Sequence, residues 1–146
     1  MGRIYYQQFK ALSVTAAPQD LCSIIAGANN PIRLLGFEFT SNATTSSIID
    51  LDVHRITAAG TGGTFSTTEE PADENDSAPT ASVRTLDTVP GTSGDGLMGW
   101  QCEQLGPVNG LLGGRELQAK PTEGFAFGWN TATSATVSGW ICWEEL

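Results

Sequence analysis

The feature that most constrains the fold of this chain is a repeated two-residue alternation between apolar side chains and polar or small ones. In the segment SIIDLDVHRIT the apolar residues are Ile49, Leu51 and Val53, and the polar residues between them are Asp50, Asp52 and His54. The segment GFAFGWNT alternates in the same way, with aromatic residues at 125, 127 and 129. Because the side chains of a β-strand point alternately to the two faces of a sheet, these segments predict strands with one buried face.

Comparable patterns predict about eight strands, at 4–15, 21–26, 32–41, 47–57, 97–105, 115–119, 124–131 and 137–145. Turn-forming runs of Gly, Pro, Asn and Asp separate them, and no window has a convincing 3.6-residue period. The segment 81–89 could form one helical turn but is rich in β-branched residues. The strand at 137–145 has apolar side chains on both faces, which predicts a central place in its sheet or contact with a partner. The pattern predicts an all-β fold, an antiparallel, jelly-roll-like β-sandwich.

One long excursion interrupts the strand pattern between residues 58 and 96. It contains GTGGTFSTTEEPADENDSAPTAS, in which five carboxylates fall within eight residues. The segments on either side would each make a poor core alone, so residues 1–146 are expected to form a single domain. Charge repulsion and the prolines Pro71 and Pro79 are expected to keep the excursion extended as a contact arm. We therefore expect deletion of residues 66–80 to leave the sandwich folded and to weaken attachment to a partner or to other copies.

The charge balance of the chain restricts its partners. The formal net charge is −9, with only seven Lys and Arg residues. Phosphate groups and anionic membranes repel such a chain, so no nucleic acid and no membrane are expected as partners, and a protein is favoured. The N-terminus lacks the apolar core of a signal peptide. Cys22, Cys102 and Cys142 lie in apolar segments and are expected to be buried free thiols, which agrees with synthesis in the cytoplasm.

Motifs for catalysis or cofactor binding are largely missing from the sequence. The glycines at 60–63 lack the Gly-Lys-Ser/Thr ending of a phosphate-binding loop. A calcium loop starting at Asp73 would have Ala78 in place of its glycine and Arg84 in place of its bidentate glutamate. His54 is the single histidine, so a multi-histidine metal centre is excluded, and its position on a polar strand face predicts a surface residue. We expect no catalytic, cofactor-binding or metal-binding residues and no enzyme activity.

Three weaker alternatives stay open at this point. The acidic loop could hold a divalent cation loosely at its surface. Carboxylates such as Glu103, Glu144 and Glu145 could meet across a cleft as a glycosidase pair. The four tryptophans could stack on sugar rings if they are exposed, although most alternate with apolar residues and therefore resemble core: Trp100, Trp129, Trp140 and Trp143.

Three segments of the chain together carry a family resemblance. The first is IYYQQFKALSVTAAPQDLCSIIAG, in which a Thr-Ala-Ala-x-Gln-Asp-Leu turn leads into an apolar strand. The second is LDVHRITAAGTGGT, followed by the acidic loop and by Arg84, Leu86 and Asp87. The third is the C-terminal ATVSGWICWEEL. With these segments the chain resembles the small capsid decoration (cement) proteins of tailed bacteriophages and related virion proteins, and the Gly-rich section between Asp87 and Gly114 does not take part in the resemblance.

The resemblance implies a structural protein without an active site, located on the capsid exterior of a virion and made in the bacterial host cytoplasm. Its implied partners are the major capsid protein and two further copies of itself in a homotrimer. Acidic loop residues and N-terminal aromatic residues are the expected partner contacts: Tyr5, Tyr6, Phe9, Phe65, Glu69, Glu70, Asp73, Glu74 and Asp76. For the N-terminal aromatic residues, an ordinary first strand is the alternative. A tail, neck or head-fibre protein of the same fold and a carbohydrate-binding module are the alternatives for the function.

Overall fold

The computed structural model describes residues 2–15, 18–43, 48–103, 108–111, 116–131 and 134–146. Within these ranges the secondary structure consists of twelve β-strands. The strands are β1 (Arg3–Val14), β2 (Gln19–Ile25), β3 (Ile32–Ala43), β4 (Ile48–Ala58), β5 (Thr64–Phe65), β6 (Glu70–Pro71), β7 (Ser82–Asp87), β8 (Thr92–Glu103), β9 (Val108–Leu111), β10 (Leu117–Ala119), β11 (Gly124–Trp129) and β12 (Ala135–Glu145). No helix in this part of the chain has the length and hydrophobicity needed to cross a membrane.

The strands form two antiparallel sheets with jelly-roll topology. The first sheet has the order β10-β3-β12-β1-β6, with β9 also paired to β3, and the second has the order β5-β7-β2-β11-β4-β8. The pairs β1–β12, β2–β11, β3–β10 and β4–β8 are nested along the chain, as in a long hairpin rolled over on itself. This arrangement confirms the predicted jelly-roll-like sandwich. It also confirms that β12 is central, because β1 and β3 lie on its two sides.

Aromatic side chains from the two sheets meet in the core. The ring of Phe127 on β11 lies edge-on to Phe37 and Phe39 on β3, with centroids 5.0 and 5.1 Å apart. On the first sheet, Tyr5 stacks on Trp143 at 5.8 Å. Aromatic pairs in these geometries stabilise by about 0.5–1.5 kcal/mol beyond their buried area. The alternating residues that the sequence indicated therefore form the contact between the sheets.

The region predicted as one long loop contains regular structure. Strands β5, β6 and β7 and the start of β8 lie between residues 58 and 96. Strand β7 pairs with β2 and extends the second sheet, and its Val83 is fully buried. Strands β5 and β6 have two residues each, which is too short for an alternation to be visible. The predicted strand at 115–119 appears as β10, and its first residue lies outside the described part of the chain.

Candidate functional site

Two of the expected partner contacts, Tyr5 and Phe9, belong to the core. Tyr5 is 0% exposed and stacks on Trp143, while Phe9 is buried and stacks on Phe39. Both side chains lie on the face of β1 that points toward the second sheet. Their prediction as surface anchors is therefore corrected, and the alternative of an ordinary first strand holds for these two residues.

The acidic part of the excursion folds back on the sandwich instead of extending from it. We call residues 66–81 the arm. Its short strand β6 pairs with Tyr5 and Tyr6 on β1, at the edge of the first sheet. The hydroxyl of Tyr5 donates a hydrogen bond to the carbonyl of Ser77 (3.0 Å), and Arg3 forms an ion pair with Asp76 (3.3 Å). Since the arm leaves from β5 in the second sheet, it bridges the edges of both sheets.

The far end of the arm is anchored by one buried carboxylate, that of Glu145. One of its oxygens accepts the backbone N–H groups of Thr80 and Ala81, both at 2.7 Å, and the other accepts the Thr80 hydroxyl at 3.1 Å. Hydrogen bonds to a charged group contribute about 1.5–3 kcal/mol each. The sequence suggested Glu145 only as one member of a possible glycosidase pair, whereas in the structure its carboxylate anchors the arm.

The remaining aromatic contact residues, Tyr6 and Phe65, lie on one continuous surface. Two neighbouring hollows, of about 600 and 260 Å³, share Gln8, Lys10 and Thr68 in their linings. Tyr6 borders the larger hollow and Phe65 the smaller, and their side chains are 46% and 62% exposed. We call this area the Tyr6–Phe65 surface. Apart from Glu70, the polar residues that line it were not expected as partner contacts, because nothing in a local pattern places β1 beside residue 68.

The structure also fixes the environment of both aromatic residues on this surface. The guanidinium group of Arg84 lies 4.4 Å from the centroid of Phe65, a cation–π contact that holds the exposed ring over β7. Arg84 is itself held by hydrogen bonds and an ion pair to the buried Asp87 (2.8 Å). Tyr6 pairs across the strands with Cys142, and the charge and hydrogen bonding of that thiol raise the pKa of Tyr6. Phe65 is thus a pre-positioned exposed aromatic residue.

The five acidic contact residues are divided along the arm. Glu70 borders the larger hollow beside Tyr6, and Glu69 precedes it and is half-buried. Asp73 and Glu74 are exposed at the turn of the arm, and hydrogen bonds from the backbone and side chain of Asn75 lower the pKa of Asp73. Asp76 is occupied by Arg3. Only Glu70 of these five therefore lines the hollow beside Tyr6.

A second polar site lies on the outer face of the second sheet, around His54. The residue was expected at the surface, but it is 8% exposed and stands between two carboxylates. Its Nδ1 lies 3.3 Å from Asp52 Oδ1, and its Nε2 lies 3.8 Å from Asp20 Oδ1. The segment around Pro90 and Gly91, which precedes β8, borders this site together with β2 and β4. The expectation was wrong because a strand face that reads as polar is covered by a distant loop.

The pKa values of His54 and Asp20 are both raised, for different reasons. The hydrogen bond with Asp52 raises the pKa of His54 above its ordinary value, against the opposing effect of burial. Burial raises the pKa of Asp20, although the Gly91 N–H and the charge of His54 act in the other direction. Among the described residues, no three or more His, Cys, Asp or Glu side chains are grouped so that they could hold a metal ion.

The described cysteines and tryptophans are placed mainly as structural residues. Cys22 and Cys142 are buried free thiols, as expected, whereas the side chain of Cys102 lies outside the described part of the structure. Trp129 and Trp143 are buried in the core. Trp140 is half-buried on the outer face of the first sheet, opposite Gln8 of β1, and the side chain of Trp100 is not among those described.

Comparisons with known proteins add no functional argument. No protein-family profile matches the sequence, and none of the curated proteins matches it. Two solved structures of infectious bursal disease virus, of the Gx and Gt strains, align over the whole chain at 12% and 15% identity, with TM-scores of 0.17 and 0.16. The chain spans 40% of the length of each of those chains. These TM-scores are too low to establish a shared fold, so neither structure supports a function for this chain.

Proposed function

We propose that this chain is a non-enzymatic structural protein of a virion, and that it decorates the exterior of a tailed-phage capsid by binding the major capsid protein. The observation that carries the proposal is the Tyr6–Phe65 surface, supported on a jelly roll whose long excursion is docked on its own edge. Jelly rolls also occur in lectins and metal-binding enzymes, so the fold by itself does not decide the function.

The rigidity of the Tyr6–Phe65 surface suits it to a partner that is already assembled. Exposed Tyr and Phe side chains bury a large area with little loss of rotamer entropy, and such residues commonly dominate binding energy. Phe65 is held by Arg84, and Tyr6 stands on a twelve-residue strand in the interior of the first sheet. Binding would therefore cost little free energy for ordering these two side chains.

Three parts of the proposal rest on the sequence resemblance. These are the tailed-phage major capsid protein as the partner, the location on the capsid exterior, and the assembly of the chain as a homotrimer. A tail, neck or head-fibre protein of the same fold would present the same surface. The position of the protein in the particle distinguishes these cases.

The proposal is tested by co-sedimentation with heads of the encoding phage prepared without this protein. We expect saturable binding, and we expect the double variant Tyr6→Ala/Phe65→Ala to lose about tenfold or more in affinity, as for interface hot spots. Ile48→Ala is the matched control, because Ile48 is also an exposed hydrophobic residue and borders neither hollow. Light scattering of the purified protein measures the trimer. Absence of head binding at every salt concentration would reject the proposal.

One observation favours carbohydrate binding as a second candidate. Tyr6 and the half-buried Trp140 lie on the same outer face of the first sheet, on the neighbouring strands β1 and β12. Aromatic rings with polar neighbours such as Gln8 are a common platform for sugars. A glycan array combined with fluorescence quenching decides between the two candidates, since a sugar bound there would quench Trp140 and Trp140→Phe would abolish the response.

A further inference from the structure

The pocket above His54 has an unusual balance of hydrogen-bonding groups. It has a volume of about 260 Å³ and opens on the outer face of the second sheet, and we call it the His54 pocket. Its ionisable lining residues are Asp20, Asp52 and His54. Asp20 is only 1% exposed, and its two oxygens have different environments. Oδ2 accepts the Gly91 N–H at 2.7 Å, whereas Oδ1 has no hydrogen-bond partner among the residues that the structure describes.

A neutral His54 leaves two acceptors facing each other. When its ring hydrogen is on Nδ1, it is donated to Asp52 Oδ1 at 3.3 Å. The lone pair of Nε2 then faces Asp20 Oδ1, which lies 3.8 Å away. Both atoms are acceptors, and a buried acceptor without a donor is unfavourable. A second proton on His54 relieves this arrangement, and so does an N–H donor that approaches both atoms from outside.

We propose that the His54 pocket binds the ammonium group of a lysine side chain from a partner protein, held between Asp20 and His54. An ammonium group is compact, positively charged and carries three donors. The planar fork of an arginine binds best to two carboxylate oxygens that both face it, and Asp20 Oδ2 is engaged by the N–H of Gly91. Because the two carboxylates approach opposite ring nitrogens, they cannot share one metal ion with the imidazole.

Glycines give the pocket its shape. A Cβ atom at Gly128 of β11 would collide with the carboxylate of Asp52, so glycine at this position leaves room for that carboxylate beside His54 on the same strand, β4. Gly94 and Gly96 line the side formed by β8, and a Cβ atom at Gly96 would meet nothing within 4 Å. This open side offers a path for the aliphatic stem of a lysine. It also allows a larger side chain to be placed at residue 96 without disturbing the fold.

Proton and lysine compete for the same place, so their binding is linked. His54 faces Asp52 on its own strand and Asp20 on β2, and its paired residues on the two neighbouring strands are Ala126 of β11 and Gly96 of β8. The charge of Asp87, which is paired with Arg84 on β7, also acts on Asp20. Lysine binding should therefore lower the pKa of His54. The affinity of the pocket for lysine should rise about tenfold per pH unit below the pKa of His54 and stay constant above it.

The test uses NMR titration of the imidazole of His54, which is the single histidine of the chain. The probe is a capped lysine, Nα-acetyl-lysine N-methylamide, and the matched probe is its Nε-trimethylated form, which keeps the charge and lacks the N–H donors. We expect the first to lower the pKa of His54 and the second to leave it unchanged. Equal effects of the two probes, or no effect of either, would overturn the proposal. Much tighter binding of putrescine would assign the pocket to free polyamines and would also overturn it.

Variants of the pocket complete the experiment. Asp20→Asn and Gly96→Leu should each abolish the effect of the capped lysine, and Asp73→Asn, which removes an exposed carboxylate elsewhere, should preserve it. If Asp20→Asn does not fold, Gly96→Leu tests the proposal, because its side chain enters only the open space of the pocket and should leave the fold unchanged. The partner that carries this lysine would be the major capsid protein, which rests on the proposed function. The titration contains no capsid, so failure of the pocket and failure of head binding are distinguishable.

Discussion

At the scale of single residues, the neighbours Tyr5 and Tyr6 have opposite roles. The alternation of β1 directs Tyr5 into the core against Trp143 and Tyr6 to the outer face. The two residues have the same chemistry and adjacent positions, so they form a matched pair for experiment. Their difference comes only from the face of the sheet on which each lies.

We predict that Tyr5→Ala lowers the free energy of unfolding by about 3–5 kcal/mol, the usual cost of removing a buried aromatic side chain. Tyr6→Ala should cost less than about 1 kcal/mol, because its ring is half-exposed. Urea denaturation of the two variants measures the difference. A larger cost for Tyr6→Ala than for Tyr5→Ala would show that β1 is displaced by one residue, and similar costs would contradict the burial of Tyr5 alone.

The titration of His54 predicts a pH dependence of stability. Its pKa is raised above 6.5 in the folded protein, mainly by Asp52, so the folded state holds this proton more tightly than the unfolded state. The resulting stabilisation is fully present below pH 6.5 and is lost as the pH rises through the folded pKa. The raised pKa of Asp20 acts in the same direction at lower pH, above its ordinary value of 3.8.

Chemical denaturation between pH 6 and 9 should therefore show declining stability, measured as the free energy of unfolding. In Asp52→Asn the decline should be weaker, because the largest cause of the raised His54 pKa is removed. Asp73→Asn serves as a control with the same change of charge. An unchanged pH profile in Asp52→Asn would contradict the assigned role of Asp52.

The sequence could not distinguish these residues in advance. Alternation shows which residues share a face of a strand, but it does not show which face the second sheet covers. For His54 the polar face was assigned correctly, yet the pocket in which it lies is also lined by Gly91, which is 37 positions further along the chain. Long-range coverage of this kind has no signal in a local pattern.

At the scale of elements, the arm differs most from the structure that the sequence predicted. The sequence predicted an extended contact arm, and the structure shows it tied to β1 and β12 through Tyr5, Arg3 and Glu145. Its two ends are close together, since the N–H of Ser66 donates to the carbonyl of Val83 at 2.8 Å. A short turn could therefore join the ends after deletion.

We predict that replacing residues 67–81 by an Asn-Gly turn leaves a folded sandwich with lower stability. Glu145 and Tyr5 lose their partners in this variant, and the loss of such hydrogen bonds is expected to cost about 3 kcal/mol or more in total. Circular dichroism and denaturation measure the fold and the cost. Glu145→Ala keeps the arm and should reproduce part of the loss. Unchanged stability after the deletion would indicate that the arm is a free extension that does not stabilise the sandwich.

Prediction from sequence succeeded for most long strands and for the short strand β10, and it failed for the short strands β5, β6 and β9. Strands of six or more residues with regular alternation, such as β4 and β11, were expected at nearly their observed positions. Strand β7 was ambiguous because the segment 81–89 could also form one helical turn, although it is rich in β-branched residues. The two-residue strands β5 and β6 exist only because longer neighbours supply their hydrogen-bonding partners.

At the scale of the whole molecule, the nested pairing of strands explains how one excursion can lie across two sheets. Strands β4 and β8 are partners in the second sheet, and the chain between them adds β5 and β7 at the opposite edge of that sheet before returning to β8. The arm crosses to β1 of the first sheet within this connection. The Tyr6–Phe65 surface is therefore a product of the topology, with Tyr6 and Phe65 on different sheets.

The position of this surface in an assembled particle is the central claim, and electron cryomicroscopy of the mature phage tests it most directly. The account predicts jelly-roll density on the outside of the head, with Tyr6 and Phe65 facing the major capsid protein. Density of this fold only in the tail or neck would contradict the claim, and so would head density whose shell-facing side is formed by other residues.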